Sequence, residues 1–290
     1  LVDQSLLAIG ASDDGEPRLR MLETVREFAA EQLAAGGDGP VRDAHVGYFL
    51  AWIEGIRTAL TESRDSQAIG AVRRELDNLR GALGWLREHD ADGTRLRLVN
   101  AMFPYWRISG PYVEATQELT EVLARTGDDP RERAWALNAL GWLAGARGAF
   151  AESIAFNEQA LALFDGAGDR AQQAETLWQM AMAYESMSDH ATARECHDQR
   201  FELIPKDDEL GIARIKSDLG RLSFVSGEFE TAIGLISEAL GVFRREAETQ
   251  LLAYALIDLT SAEMLGGYAE ASLDHIDECV KLLGTLDDDY

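Results

Sequence analysis

The feature that most constrains the fold of this chain is a period of about 39 residues in its second half. Positions 140, 180, 219 and 258 each begin the same order of small, apolar and turn-forming residues, and LGRLSFVSGEFETAIGLISEAL at 219–240 shows it most clearly. Apolar residues recur at helical spacing on both sides of a short turn in each copy. The sequence therefore predicts a series of helical hairpins.

Three positions mark each hairpin: a turn residue, then a ring, then a small residue where the two helices cross. Across the four copies these are Gly148, Ser188, Gly227 and Gly266, then Phe150, His190, Phe229 and Tyr268, then Ser153, Ala193, Ala232 and Ala271. A weaker upstream copy has Gly110, Tyr112 and Ala115 in these positions, which makes about five hairpins. Because one hairpin cannot bury its own apolar stripe, neighbouring hairpins are expected to stack into a superhelix.

This pattern resembles tetratricopeptide repeats. The residues that carry the resemblance are the Leu-Gly pairs at 140–141 and 219–220, Tyr184, the glycine turns and the small crossing residues. The period exceeds the usual ~34 residues, which indicates longer helices or longer loops. The resemblance implies an all-α fold, a right-handed superhelix of antiparallel helix pairs, with the repeat array over 96–290.

The first 36 residues do not share the repeat. LVDQSLLAIG and RLRM predict two short strands, at 6–10 and 18–21, and LETVREFAAEQLAAGG predicts a helix that ends at glycine. This order resembles the end of the winged-helix module that follows the nucleotide-binding domain in STAND-class regulators similar to the AfsR, MalT and LuxR-type activators. A helical pair over 41–90, which contains ELDNLRGALGWL, resembles the segment that links that module to the repeats.

The resemblance implies that the chain, which begins at Leu1 without Met, is part of a longer transcriptional regulator. ATP or ADP would bind an upstream domain, because no GxxxxGK[ST] phosphate loop occurs here. GxSxG, HExxH and paired CxxC motifs are also missing from the sequence. We therefore expect no catalysis and no metal or cofactor in this part.

Composition limits the class of partner. A net charge of −24 argues against direct binding of nucleic acid, which depends on clustered Lys and Arg. No apolar run approaches the ~18 residues that a membrane helix needs, so no membrane contact is expected. Cys196 and Cys279 fall in different repeats, beyond disulfide distance, which favours a cytoplasmic location.

The candidate site lies on the inner face of the superhelix, which in tetratricopeptide arrays is lined by the first helix of each hairpin. The repeat register predicts on this face Asn100, Arg107, Trp135, Asn138, Trp142, Trp178, Met182, Glu185, Arg214 and Arg221. Tryptophans beside a few polar groups are typical of a groove for a peptide or small molecule. The arginines favour an anionic ligand or an acidic peptide. With a register error of one residue, Trp142 and Trp178 would instead pack between hairpins.

Two functions follow from these patterns. The chain is either a sensor arm, in which a bound protein or small-molecule effector shifts a conformational equilibrium of the upstream nucleotide-binding domain, or a constitutive scaffold that holds two proteins together. A phosphate loop in the preceding sequence would favour the sensor arm.

Overall fold

The fold is all-α apart from one β-hairpin. In the computed structural model the residues described are 6–11, 17–61, 66–90, 93–124 and 129–287, and they form two strands and thirteen helices. The chain divides into two compact units, Leu1–Tyr105 and Trp106–Tyr290. The division falls inside a helix, and the domain limits drawn from the sequence stay predictions.

The first unit contains the β-hairpin and the linking helices. Its elements are β1 (Leu7–Ala11), β2 (Pro17–Met21), α1 (Glu23–Gly36), α2 (Gly39–Thr61), α3 (Ser66–His89) and the start of α4 (Thr94–Ser109). The strands pair antiparallel with Leu7 opposite Met21, within one residue of the predicted strand positions. Helices α2 and α3 bury apolar side chains that include Ile53, Leu79 and Leu83.

The second unit is the helical repeat array. After the end of α4 it contains α5 (Tyr112–Leu123), α6 (Pro130–Ala146), α7 (Phe150–Gly166), α8 (Arg170–Ser186), α9 (His190–Leu203), α10 (Glu209–Val225), α11 (Phe229–Arg245), α12 (Thr249–Gly266) and α13 (Ala269–Asp287). The described residues between 96 and 286 contain no strand. The tetratricopeptide-like superhelix predicted from the period is therefore the fold of this unit.

Long helices explain the long period. Helices α6, α7 and α8 have 17 residues each and are joined by turns of three residues. Aspartates begin α6, α8, α9 and α10, where each carboxylate accepts a backbone N–H of the first turn. Such N-caps stabilise a helix start by about 1 kcal/mol.

The turns within the hairpins adopt left-handed backbone conformations. Gly148 and Gly227 have φ of 80° and 79°, and Ser188 takes the same position with φ of 62°. The fourth turn differs from the prediction, because α12 has 18 residues and the left-handed residue is Gly267 rather than Gly266. The following small position shifts with it, so Ser272 is buried and Ala271 is exposed.

Small residues allow the two helices of a hairpin to approach closely. A Cβ atom at Gly141 would lie 2.5 Å from Asn157 Oδ1, and one at Gly220 would lie 2.5 Å from Ile236 Cγ1 and 3.3 Å from the Ala232 carbonyl oxygen. Ala232 itself is fully buried. The two helices therefore approach closely at both glycines, and at Gly220 the contact involves the predicted crossing residue Ala232.

Candidate functional site: an apolar pocket between first helices

An apolar pocket of about 250 Å³ opens between α6 and α8, the first helices of two consecutive hairpins. The lining residues are Gly141, Trp142, Gly145, Ala146, Phe150, Ser153, Trp178, Gln179, Met182, Ala183 and Ser186. Gly141 and Gly145 leave part of the α6 wall without side chains, and Phe150 and Ser153 of α7 also line the pocket. The pocket is thus enclosed mainly by aromatic and small side chains.

Trp142 and Trp178 line this pocket together, from α6 and α8 respectively. Both are half-buried. Trp142 also packs edge-on against Tyr112, with ring centroids 5.6 Å apart. Partial exposure of two indoles in one cavity leaves apolar surface that a ligand side chain can cover.

A buried hydrogen-bond network holds α6, α7 and α8 together behind the pocket. The Asn138 amide donates to Thr176 Oγ1 at 3.0 Å and to Asn157 Oδ1 at 3.3 Å, and its oxygen accepts from Gln179 Nε2 at 3.0 Å. Thr176 in turn donates to a backbone carbonyl. Since buried polar groups with partners fix a packing geometry, Asn138 positions the pocket wall and does not line it.

A charged network adjoins the pocket on α8. Glu185 accepts hydrogen bonds from Arg221 and lies 3.3 Å from His197 Nε2. Arg221 also approaches Met182 Sδ at 3.4 Å, which connects this network to the pocket. Burial acts to raise the pKa of Glu185, but the bonds from His197 and Arg221 outweigh it and lower that pKa.

Four carboxylates on α8, α10 and α12 interact electrostatically with one another or with the same arginines. We call them the inner carboxylates, and they are Glu175, Glu185, Asp218 and Asp258. Arg221 binds Glu185, and Arg200 binds Asp218 at 2.6 Å. Among the described residues, the side chains of Glu175 and Asp258 have neither a hydrogen bond nor an ion pair. Burial raises the pKa of both, although neighbouring arginines oppose that rise.

Apolar and acidic residues share one face of α8. Glu175, Trp178, Met182 and Glu185 stand at i, i+3, i+7 and i+10, which is one side of a helix. We call these four residues the α8 stripe. Its centre lines the pocket, and a carboxylate lies at each end.

The other predicted site residues occupy different environments. Trp135 is half-buried and packs edge-on against Phe164, at 5.9 Å between ring centroids, within the core of the α6–α7 hairpin. Arg214 forms an ion pair with Glu248 at 3.3 Å. Arg107 acts on Glu175 through space, while Asn100 is buried in the first unit.

The sequence prediction missed Phe150, Gln179, Glu175 and Asp258. Gln179, Asp218 and Asp258 recur at steps of 39 and 40 residues, so the period itself places them at one repeat position. That signal could have identified these three polar residues as one set, of which Gln179 lines the pocket. Phe150 was assigned only to the ring position of its hairpin, and no sequence pattern indicates that its ring reaches the pocket.

Curated relatives are similar over part of the chain. The "Putative HTH-type transcriptional regulator Rv0890c" of Mycobacterium tuberculosis is 31% identical over 182 residues, and a Mycobacterium bovis protein of the same description matches equally. The match covers 59% of this chain, which spans only about a fifth, 20%, of the relatives' length. No protein-family model matches the chain.

Solved structures share the fold at low sequence identity. The apo form of RapI has a TM-score of 0.63 at 14% identity and covers 82% of this chain and 76% of its own. BtubC from P. vanneervenii has a TM-score of 0.61 at 16% identity, and the match covers 76% of this chain and 91% of BtubC. A Rap protein complexed with competence and sporulation factor has a TM-score of 0.61 at 13% identity, and the match covers 84% of this chain and 78% of that protein. These likenesses support the helical-repeat fold alone.

The part of the chain that the structure describes contains no group of three or more His, Cys, Asp or Glu side chains placed to hold a metal ion. Within the same residues, no helix has the length and apolar character needed to cross a bilayer.

Proposed function

We propose that this chain is the effector-binding arm of a larger cytoplasmic transcriptional regulator of the STAND class, and that its effector is a protein or peptide segment bound at the α6–α8 pocket. The observation that carries the proposal is that Trp142 and Trp178 border one apolar cavity and are both partly exposed. The partial similarity to HTH-type regulators supports the regulatory context.

The size of the pocket favours a peptide over a small molecule. Pockets for drug-sized ligands usually have about 300–1,000 Å³ and enclose most of the ligand, whereas this cavity has about 250 Å³. One large apolar side chain fits such a space. The remainder of the partner would then lie along the neighbouring first helices, as an extended segment does in a groove.

The regulatory part of the proposal uses the repeat architecture. Each hairpin contacts mainly its neighbours, so a side chain inserted between α6 and α8 would favour one spacing of two consecutive hairpins. Any difference in affinity between two such spacings shifts their populations. The β-hairpin and α1 would be the end of a winged-helix module that connects this arm to a nucleotide-binding domain.

A peptide selection tests binding at the pocket. A displayed library of random linear peptides is enriched on the immobilised 290-residue chain, and the enriched pool is then offered to the Trp178→Ala variant and to a control, Trp85→Phe, in the first unit. Enrichment that persists on the control and is lost on Trp178→Ala supports the proposal. Peptides that bind both variants equally would place binding elsewhere.

The sequence that precedes this segment in its parent protein tests the regulatory role separately. A phosphate loop there would support a nucleotide-dependent regulator. Without one, the constitutive scaffold becomes the better explanation of any peptide binding.

A further inference from the structure

The inner face carries more negative charge than its own cations match. Of the four inner carboxylates, Glu185 and Asp218 have arginine partners in direct contact. Glu175 and Asp258 have no such partner among the described residues, and both are half-buried. A carboxylate that is partly removed from water with no cation in direct contact is destabilising, because distant arginines offset only part of the burial cost, and a cation supplied by a partner would relieve the remainder.

Three of the nearby arginines are in direct contact with other groups. Arg221 contacts Glu185 and Met182 Sδ, Arg200 contacts Asp218, and Arg214 contacts Glu248. The expectation of an anionic ligand rested on Arg107, Arg214 and Arg221. The charges of Arg214 and Arg221 are balanced within the protein, and Arg107 acts on Glu175 through space. Among the described residues this leaves Arg107 against two carboxylates that lack a direct cation partner, Glu175 and Asp258, so the unmatched charge on this face is negative.

Glu175 lies within one helical turn of the pocket. It precedes Trp178 by three residues in α8, which is about 4.5 Å along the helix axis. An extended peptide advances about 3.3 Å per residue. A side chain one or two residues from a group inserted in the pocket can therefore reach the Glu175 carboxylate.

We propose that the pocket binds an extended peptide segment whose apolar side chain enters between Trp142 and Trp178, while a Lys or Arg one or two residues away pairs with Glu175. This inference rests on the proposed function, because it requires the pocket to be a peptide site. Partial burial strengthens the ion pair, since the effective dielectric constant there is lower than in water. The net charge of −24 also favours approach of a basic segment.

Three synthetic peptides test the inference on the 290-residue chain. Each is acetylated and amidated, consists of Gly and Ser with one central Leu, and carries Arg, Gln or Glu two residues before that Leu. Affinity is measured by titration of intrinsic tryptophan fluorescence at low salt and at physiological salt. We expect the Arg peptide to bind about fivefold more tightly than the Gln peptide, which corresponds to about 1 kcal/mol for an ion pair at a partly exposed site.

Two charge-neutralising variants separate a local effect from a global one. Glu175→Gln removes the predicted partner, and Glu195→Gln removes the same charge from an exposed position on α9. Glu175→Gln is expected to abolish the preference for the Arg peptide over the Gln peptide. Glu195→Gln is expected to keep the preference.

The outcomes distinguish this inference from the proposed function. If all three peptides bind equally and Trp178→Ala weakens each of them, the pocket is a peptide site and the charge preference is refuted. Tighter binding of the Glu peptide refutes the inference as well and restores the anionic ligand. If none of the peptides binds the wild-type chain, while the library selection described above also yields no pocket-dependent binder, both proposals fail.

Discussion

Replacement of Gly220 by Ala tests the hairpin geometry on which the site depends. The new Cβ would lie 2.5 Å from Ile236 Cγ1 and 3.3 Å from the Ala232 carbonyl oxygen. Alanine favours a helix by about 1 kcal/mol over glycine, but added atoms in a packed interior cost about 1–3 kcal/mol. We expect Gly220→Ala to be neutral or destabilising, by up to about 2 kcal/mol.

Gly241 provides a matched control for this substitution. It lies in α11, is exposed, and has no atom within 4 Å of the Cβ position. Gly241→Ala should therefore stabilise the chain by about 1 kcal/mol, and the two variants should differ by about 1–3 kcal/mol. Urea denaturation followed by far-ultraviolet circular dichroism measures both midpoints. If Gly220→Ala stabilised the protein as much as Gly241→Ala, the close contact between α10 and α11 would be refuted.

Four further predictions concern two carboxylates, one backbone position and one thiol. Glu185→Gln should lower the melting temperature at pH 7, because the lowered pKa of Glu185 means that its ionised form stabilises the fold, and this loss should shrink as pH falls below 4.5. Glu175→Gln should raise the melting temperature at pH 7, because the raised pKa of Glu175 means that ionisation of this carboxyl opposes folding. That gain should also vanish at low pH. A change of melting temperature of the opposite sign in either variant would contradict the direction of the pKa shift given for that residue. Ala247→Gly should stabilise the protein by about 1 kcal/mol, because Ala247 has φ of 55° and a left-handed conformation costs a non-glycine residue about 1–2 kcal/mol. Urea denaturation measures this change, and an unchanged midpoint would argue against backbone strain at Ala247. Burial raises the pKa of Cys196 to about 11, so this thiol should react with a disulfide reagent only after unfolding, and rapid labelling of the native protein would contradict its buried position.

The repeat period predicted most of the architecture because each hairpin repeats the same local requirements. A left-handed turn needs Gly or a tolerated substitute such as Ser188, and a close helix crossing needs a small residue such as Gly220. These requirements depend on nearby sequence, so they can be recognised without knowledge of the tertiary structure. The fourth hairpin was displaced by one residue because α12 is one residue longer than α6, α8 and α10.

The site was predicted less completely because it depends on contacts between helices. Trp142 and Trp178 are 36 residues apart, whereas α6 and α8 begin 40 residues apart, so the two indoles do not occupy equivalent repeat positions. The repeat equivalent of Trp142 is Met182, and that of Trp178 is Asn138. The pocket forms because Trp142 and Trp178 line the α6–α8 cavity from different repeat positions, one on each helix.

Charge pairing was also beyond the sequence pattern. Arg221 and Glu185 are 36 residues apart and meet only when α8 and α10 stack. The register placed both on the inner face but could not show that they bind each other. For the same reason Trp135 was assigned to the groove, although its indole packs against Phe164 of the following helix.

The most direct test of peptide binding at the α6–α8 pocket is fluorine NMR of the chain labelled with 5-fluorotryptophan. The six tryptophans give separate reporters, and Trp142→Phe and Trp178→Phe variants assign the two pocket signals. Trp106 is fully buried and serves as an internal control. On titration with the Arg peptide, we expect saturable shifts of the Trp142 and Trp178 signals while the Trp106 signal stays unchanged. If the peptide binds and neither pocket signal moves, the α6–α8 pocket is not the binding site and the proposed function is contradicted.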